Sequence, residues 1–164
     1  MRRLFISFAL LFAVAYASAQ HVESTDSVAY LEALRMARET SENISKSLEE
    51  RKIARFKQFA LEYLGTQSLK QNPKGDIAPL NEQALALYKF INAYEYQLTI
   101  SNKKSRQNVI ETFKQVSLAN PLFNDPNKEY VLAYITNEGY LTKFSLDTDW
   151  VAAYKEIERI YSAQ

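Results

Sequence analysis

Two aspartates and a tryptophan stand together near the end of the chain, in the run Asp147-Thr148-Asp149-Trp150. Two carboxylates beside an aromatic ring could bind Ca²⁺ or a sugar. Ca²⁺ needs roughly six to eight oxygen ligands, and the spacing of an EF-hand loop is absent here. We therefore favour a structural interpretation, in which Asp147 or Asp149 caps the last helix and Trp150 packs the first turn of that helix against the core.

The residues that other common catalytic sites require are missing from the sequence or have no identifiable partner. A glycan hydrolase would need a second carboxylate at a set distance from the first, and the sequence selects neither Glu129 nor Glu138 for that role. His21 is the only histidine, and the chain contains no cysteine. Catalytic triads, zinc sites with paired histidines and thiolate chemistry are therefore excluded or lack partners. We predict that the protein is not an enzyme and has no metal site and no cofactor. Glycan binding or hydrolysis through Asp147 and Asp149 is the alternative.

Tyrosine is abundant, with 11 residues in the chain. Its ring is apolar and its hydroxyl polar, so it suits the boundary between a core and water. Most of these tyrosines would pack at the edge of the core on the simplest interpretation. The functional interpretation is a groove beside the third predicted helix that takes a peptide, a helix of a partner or an apolar ligand. The candidate anchors are Tyr88, Tyr94, Tyr96 and Trp150.

The first residues of the chain are typical of a secretory signal peptide. A basic head, Met1-Arg2-Arg3, precedes a nearly unbroken apolar run over residues 4–15, and Ala17-Ser18-Ala19 supplies the small residues that precede a cleavage site. The apolar run is too short to cross a bilayer as a permanent helix. We predict cleavage after Ala19 and a periplasmic or secreted mature protein from a bacterium.

The predicted mature chain, residues 20–164, has the length of one ordinary domain. We expect residues 20–26 to be disordered, because chain ends without contacts usually are. The whole chain has 20 lysines and arginines and 19 aspartates and glutamates. Cleavage removes Arg2 and Arg3, so the mature chain is almost neutral and has no electrostatic reason to bind nucleic acid. It also contains no second apolar stretch long enough to span a membrane.

Turn signals are sparse, with 3 glycines and 4 prolines, and this favours helices over a β-sandwich or barrel. The third predicted helix is apolar on two sides, so we expect it to lie centrally. Apolar spacings of three and four residues predict helices over 27–41, about 53–64 with Gly65 as terminator, 80–101, 106–119 and 149–162.

Residues 125–146 have two interpretations. Asp125-Pro126 is a helix start signal and predicts a fifth helix that ends near Asn137. The alternative is a small β-hairpin over 130–146 that turns at 137–139, because both flanking runs are rich in β-forming residues. We favour the helix. The predicted fold is all-α, a single compact domain of five or six helices arranged as a bundle or as stacked helical hairpins.

The segment from residue 80 to residue 121 resembles a tetratricopeptide helical hairpin. Two predicted helices flank a turn at 103–106, and Phe113 stands 8 residues before Pro121. The segment departs from the repeat at Gln97 and Val109, where that family has small residues, and no second copy follows at its period of about 34 residues. The resemblance implies helical-hairpin architecture and no particular partner.

Export, helical architecture, abundant tyrosine and missing catalytic sets together predict a class of function. We expect a non-enzymatic protein that binds a protein partner in the bacterial envelope, in an assembly, adaptor or regulatory role. Two alternatives stay open. One is the carboxylate-dependent glycan-binding or glycan-hydrolysing domain described above, and the other is a carrier of a small apolar ligand between the helices.

Overall fold

The described residues form five α-helices and one β-hairpin. The computed structural model describes residues 29–125, 130–135 and 141–162. The predicted signal peptide, the segment 20–26, His21, Glu129 and Glu138 lie outside the described residues. In chain order the elements are α1 (Ala29–Glu42), α2 (Leu48–Gln71), α3 (Ala78–Ile100), α4 (Lys103–Ala119), β1 (Tyr130–Ile135), β2 (Leu141–Ser145) and α5 (Trp150–Ser162).

Helix α3 occupies the centre, as its two apolar sides predict. It packs against each of the other four helices. Helices α1 and α2 form one helical hairpin, and α3 and α4 form a second. The N-terminus of α5 lies beside the C-terminus of α4, where the Asp149 amide donates to the Asn120 carbonyl at 2.7 Å. Strand β1 packs on α2 and β2 packs on α4. The all-α prediction is therefore confirmed, with the hairpin as a small addition.

Six aromatic side chains from five elements form the centre of the core, and we call them the aromatic cluster. Their ring centroids lie 5.1 to 5.9 Å apart, mostly in edge-to-face geometry. Such pairs contribute about 0.5–1.5 kcal/mol each beyond the burial of their surface. The cluster consists of Phe56 from α2, Phe90 and Tyr94 from α3, Phe113 from α4, Phe144 from β2 and Trp150 from α5.

The predicted helix boundary at Gly65 is wrong, because α2 continues to Gln71. This glycine meets a packing requirement instead. The Tyr30 hydroxyl of α1 donates to the Leu61 carbonyl at 2.7 Å, and a Cβ at position 65 would collide with that hydroxyl oxygen. A glycine inside a helix costs about 1 kcal/mol relative to alanine, and here it allows α1 and α2 to approach. The connection between the helices predicted over 53–64 and 80–101 is consequently only the loop 72–77.

The helix predicted after Pro126 is also wrong, and the alternative hairpin is confirmed. Strands β1 and β2 pair antiparallel, with Tyr130 opposite Ser145. The predicted turn at 137–139 lies outside the described residues. Phe144 on β2 is fully buried and contacts three rings of the aromatic cluster. Pairing with a strand whose Phe144 is buried in the core therefore prevails over the local helix start signal at Asp125-Pro126.

The aromatic cluster makes a direct prediction about stability. Replacing Phe90, which contacts Phe113, Phe144 and Trp150, by alanine should lower the free energy of unfolding by about 3–5 kcal/mol, because it opens a cavity in a filled core. Urea unfolding followed by circular dichroism measures the loss. Phe59→Ala is the matched control, because Phe59 is 38% exposed and should lose much less. Equal losses in the two variants would contradict the central role of the cluster.

Candidate functional site

A groove between α1, α2 and α3 is the depression that contains a predicted anchor, Tyr88. Its volume is about 190 Å³. We call it the Lys57 groove. Its apolar lining residues are Met36, Ala37, Ile53 and Ala54, and its polar and aromatic lining residues are Thr40, Glu50, Lys57, Tyr88 and Glu95.

Helical spacing explains why these side chains meet. On an α-helix, residues three, four and seven positions apart lie on one face. Helix α2 contributes Glu50, Ile53 and Lys57 at such intervals, and α3 contributes Tyr88 and Glu95, which are seven positions apart. The groove is therefore a property of whole helix faces, and the packing of α1 and α3 on α2 brings those faces together.

Lys57 places a cation in this apolar setting. Its Nζ lies 4.3 Å from the centroid of the Tyr88 ring, which is the geometry of a cation–π contact. Burial lowers the pKa of the Lys57 ammonium, while the negative charge of Glu95 acts in the opposite direction. The ammonium is therefore half-buried against an aromatic ring, in a groove that Glu95 also lines.

Glu95 is the acidic counterpart of Lys57 across the groove. Burial raises the pKa of its carboxyl group, Lys57 partly offsets this rise, and the charge of Glu50 adds to it. Burial also raises the pKa of the Tyr88 hydroxyl to about 12, and this hydroxyl donates to the Ala33 carbonyl at 3.0 Å. The groove thus keeps one positive and one negative group partly out of water, which costs stability unless both are well compensated.

Two of the four predicted anchors lie at this surface. Tyr88 lines the Lys57 groove. Tyr96 directly follows Glu95 along α3 and is 39% exposed, and Leu85 is 41% exposed on the same side of the helix. We call Leu85 and Tyr96 the α3 ridge; it borders the groove, because helix geometry places both residues less than a third of a turn from Tyr88.

The other two predicted anchors lie in the aromatic cluster. Tyr94 is 1% exposed and Trp150 is 0% exposed. Neither side chain presents a surface to a partner in this structure, so substitutions there would report on core packing. The period of α3 explains the division: Tyr94 lies a third of a turn from Tyr88 on the buried side, whereas Tyr96 lies on the exposed side.

Asp149 is the N-cap of α5, as predicted. Its Oδ1 accepts hydrogen bonds from the Ala152 amide at 3.0 Å and from Gln83 Nε2 at 2.9 Å. Gln83 Oε1 in turn accepts from the Trp150 amide at 2.7 Å. The cap thus joins the start of α5 to α3 and fixes the position of Trp150 in the core.

Asp147 organises the loop after α4. It is 1% exposed, and its carboxylate accepts from the amides of Leu122, Phe123 and Asp125 at 3.2, 2.7 and 2.9 Å. Asp125 then accepts from the Tyr63 hydroxyl at 3.0 Å. The carboxylates that suggest glycan chemistry in the sequence are therefore engaged in hydrogen bonds within the fold.

Further features of the described residues bear on ligand chemistry. Over the ranges 29–125, 130–135 and 141–162, no three histidine, cysteine or acidic side chains stand close enough together to hold a metal ion. No helix within those same ranges combines the length and apolarity needed to cross a membrane. A second depression, of about 590 Å³, lies between α4 and α5, and charged or polar residues such as Gln115, Lys155 and Arg159 form much of its lining.

Sequence reasoning misses Lys57 and Glu95, because charged residues on a helix are expected to face water. One signal could have found Lys57. It stands four positions after Ile53 and three after Ala54, and both of these are buried. A lysine at that spacing lies on the packed face of its helix.

The chain matches no protein-family model, no curated protein and no solved structure. The tetratricopeptide resemblance is accordingly a statement about the helical hairpin that α3 and α4 form.

The raised pKa of Glu95 predicts a pH dependence of stability. The native carboxyl group binds a proton more readily than the unfolded one, whose pKa is near 4.5. Stability contributed by this group is therefore present below pH 4.5 and is lost as the pH rises through the raised native pKa. Glu95→Gln removes this loss, so the stability of the variant relative to wild type should increase across that interval and then level off.

Urea unfolding at a series of pH values measures this difference. Comparison with wild type is essential, because other acids, such as Glu62, have lowered pKa values and act in the opposite direction. Glu82→Gln, an exposed position on the same helix, is the matched control. A constant difference between Glu95→Gln and wild type at every pH would show that Glu95 is not desolvated.

Proposed function

We propose that this is an exported, non-enzymatic protein that binds a protein partner in the bacterial envelope through the Lys57 groove and the α3 ridge. The observation that carries the proposal is their adjacency. Tyr88 and Glu95 line the groove, and the exposed Leu85 and Tyr96 border it on the same helix. A half-buried tyrosine, Tyr88, and an exposed one, Tyr96, suit a protein interface, because tyrosine is enriched among the residues that dominate binding there.

The size of the groove favours a side chain of a protein over a separate ligand. Small-molecule sites usually enclose about 300–1,000 Å³, whereas the Lys57 groove has about 190 Å³. The larger depression between α4 and α5 has a suitable volume, but it is shallow and open to solvent, whereas a small apolar ligand is usually enclosed. The groove therefore supports a protein-binding role more strongly than a carrier role.

The absence of enzyme activity is part of the proposal and rests on chemistry. His21 is the only histidine in the chain. The Asp147 carboxylate accepts hydrogen bonds from the loop after α4, and the Asp149 carboxylate accepts one from the first turn of α5. Lys57 and Glu95 are the desolvated groups at the groove, and an opposite pair of this kind suits recognition of a polar group on a partner.

Site-directed photo-cross-linking in cells tests the binding surface. A photoreactive phenylalanine analogue at position 96 should cross-link to one dominant envelope protein. Phe59 is the matched control position, because it is 38% exposed against 39% for Tyr96 and lies on the outer side of α2, about half a turn from Lys57. Equal cross-linking at both positions, or none at position 96, would refute the proposed surface.

Export is tested by the N-terminus of the mature protein. If residues 1–19 are a signal peptide, the intact mass of the protein recovered from the periplasm or medium should correspond to a chain that starts at Gln20. Replacing Ala17 and Ala19 by aspartate should leave an uncleaved precursor, because the peptidase requires small residues there. Recovery of a cytoplasmic protein that retains residues 1–19 would contradict the prediction.

A further inference from the structure

The α1–α2 turn and the α3–α4 turn lie at the same end of the helical bundle. Helices α2 and α3 run antiparallel, since Lys57 contacts Tyr88 and Glu50 and Glu95 line the same groove. Counting at about 1.5 Å per residue from these contacts places the start of α2 level with the last turn of α3. We call residues 42–52 and 100–106 together the basic end.

Three large apolar side chains are exposed at the basic end. Ile44 in the α1–α2 turn is 87% exposed, Leu48 at the start of α2 is 56% exposed and Ile100 at the end of α3 is 58% exposed. Single exposed apolar residues are ordinary on protein surfaces, but several at one end of a small bundle mark a surface that interacts with something.

Hydrogen bonds hold these apolar residues on ordered turns. Asn43 Oδ1 accepts from the Ser45 amide at 2.9 Å, and Ser47 and Glu50 form a reciprocal capping box at the start of α2. Asn102 caps α4 by accepting from the Ser105 amide at 3.0 Å. A fixed backbone presents Ile44 outward at little entropic cost when it meets another surface.

Charge is concentrated at this end as well. The basic end contains six lysines and arginines and three acidic residues, although the whole chain has 20 basic and 19 acidic residues. One of the three acids, Glu50, is paired with Lys46 at 3.3 Å and bonded to the Ser47 amide. Lys103 and Lys104 are both exposed beside Ile100 in the chain. The basic end is therefore positive while the remainder of the chain carries more acids than bases.

We propose that the basic end docks on the surface of an anionic lipid bilayer. Apolar side chains flanked by lysines are the combination that binds a membrane interface, where the side chains enter the boundary between headgroups and acyl chains and the lysines attract anionic headgroups. Its charge complements anionic lipid, and this role does not require a partner in the Lys57 groove. No membrane-spanning segment is required for such docking.

A single-cysteine label tests the docking directly. The native chain has no cysteine, so Ile44→Cys in the mature protein can be labelled uniquely with an environment-sensitive fluorophore. Vesicles of phosphatidylcholine and phosphatidylglycerol should shift the emission of this label to shorter wavelength, and pure phosphatidylcholine vesicles should not. Leu69→Cys is the matched control, because Leu69 is 64% exposed and lies roughly 30 Å away along α2.

Lysine substitutions test the electrostatic part. Changing both Lys103 and Lys104 to glutamine should weaken binding to the anionic vesicles about tenfold or more, since each lysine near the surface contributes to the attraction. The matched control changes Lys70 and Lys74, two exposed lysines at the opposite end of α2, and should leave binding almost unchanged.

Three results would overturn the proposal: no response of the label at position 44, equal responses at positions 44 and 69, or equal binding to neutral and anionic vesicles. A cross-link from position 44 to an envelope protein, together with absent vesicle binding, would reassign the basic end to a protein interface. The vesicle assays contain no protein partner, so their failure is distinguishable from failure of the surface proposed at Tyr96.

Discussion

The edge-to-face packing of six aromatic rings is the constraint on which the rest of the structure depends. Helix α3 lies in the centre because it supplies two of the rings, Phe90 and Tyr94, which contact rings from α4 and β2. The hairpin belongs to the core because Phe144 reaches Phe56 on α2 as well. Protein cores are close-packed, so a ring cannot be displaced without opening a cavity. The elements that carry the rings are therefore fixed relative to one another.

The same constraint accounts for the two aspartates. Trp150 is both a member of the cluster and the first residue of α5, so the chain just before it has to be held in a defined path. Asp149 provides the cap of α5, and Asp147 binds three amides of the loop after α4. A buried carboxylate such as that of Asp147 is costly unless it is hydrogen-bonded. Their spacing near Trp150 in the sequence therefore reflects the local architecture of a helix start.

Sequence signals within a few residues predicted most helices correctly. Contacts between residues distant in the chain account for the places where the structure differs from the prediction. Helices α3 and α5 follow from apolar residues spaced three and four positions apart, and the cap at Asp149 follows from its place just before α5. Gly65 is different, because only the approach of Tyr30 from α1 explains why a helix tolerates it. The hairpin depends on the distant ring of Phe56, and the groove at Lys57 depends on two other helices. The sequence identifies which tyrosines α3 carries, but the packing around the helix decides that Tyr96 is exposed and Tyr94 buried.

The position of α3 relates the two proposed surfaces to each other. Ile100 lies one helical turn beyond Tyr96, which is a rise of about 6 Å. If the basic end rests on a bilayer, Tyr96 stands immediately above the headgroups, and a protein seated on the α3 ridge is held close to the membrane. A bound partner would then gain effective concentration from the surface as well as affinity from the groove. This arrangement favours a partner that is itself at the membrane, because a partner free in solution would have to enter the narrow space beside the lipid.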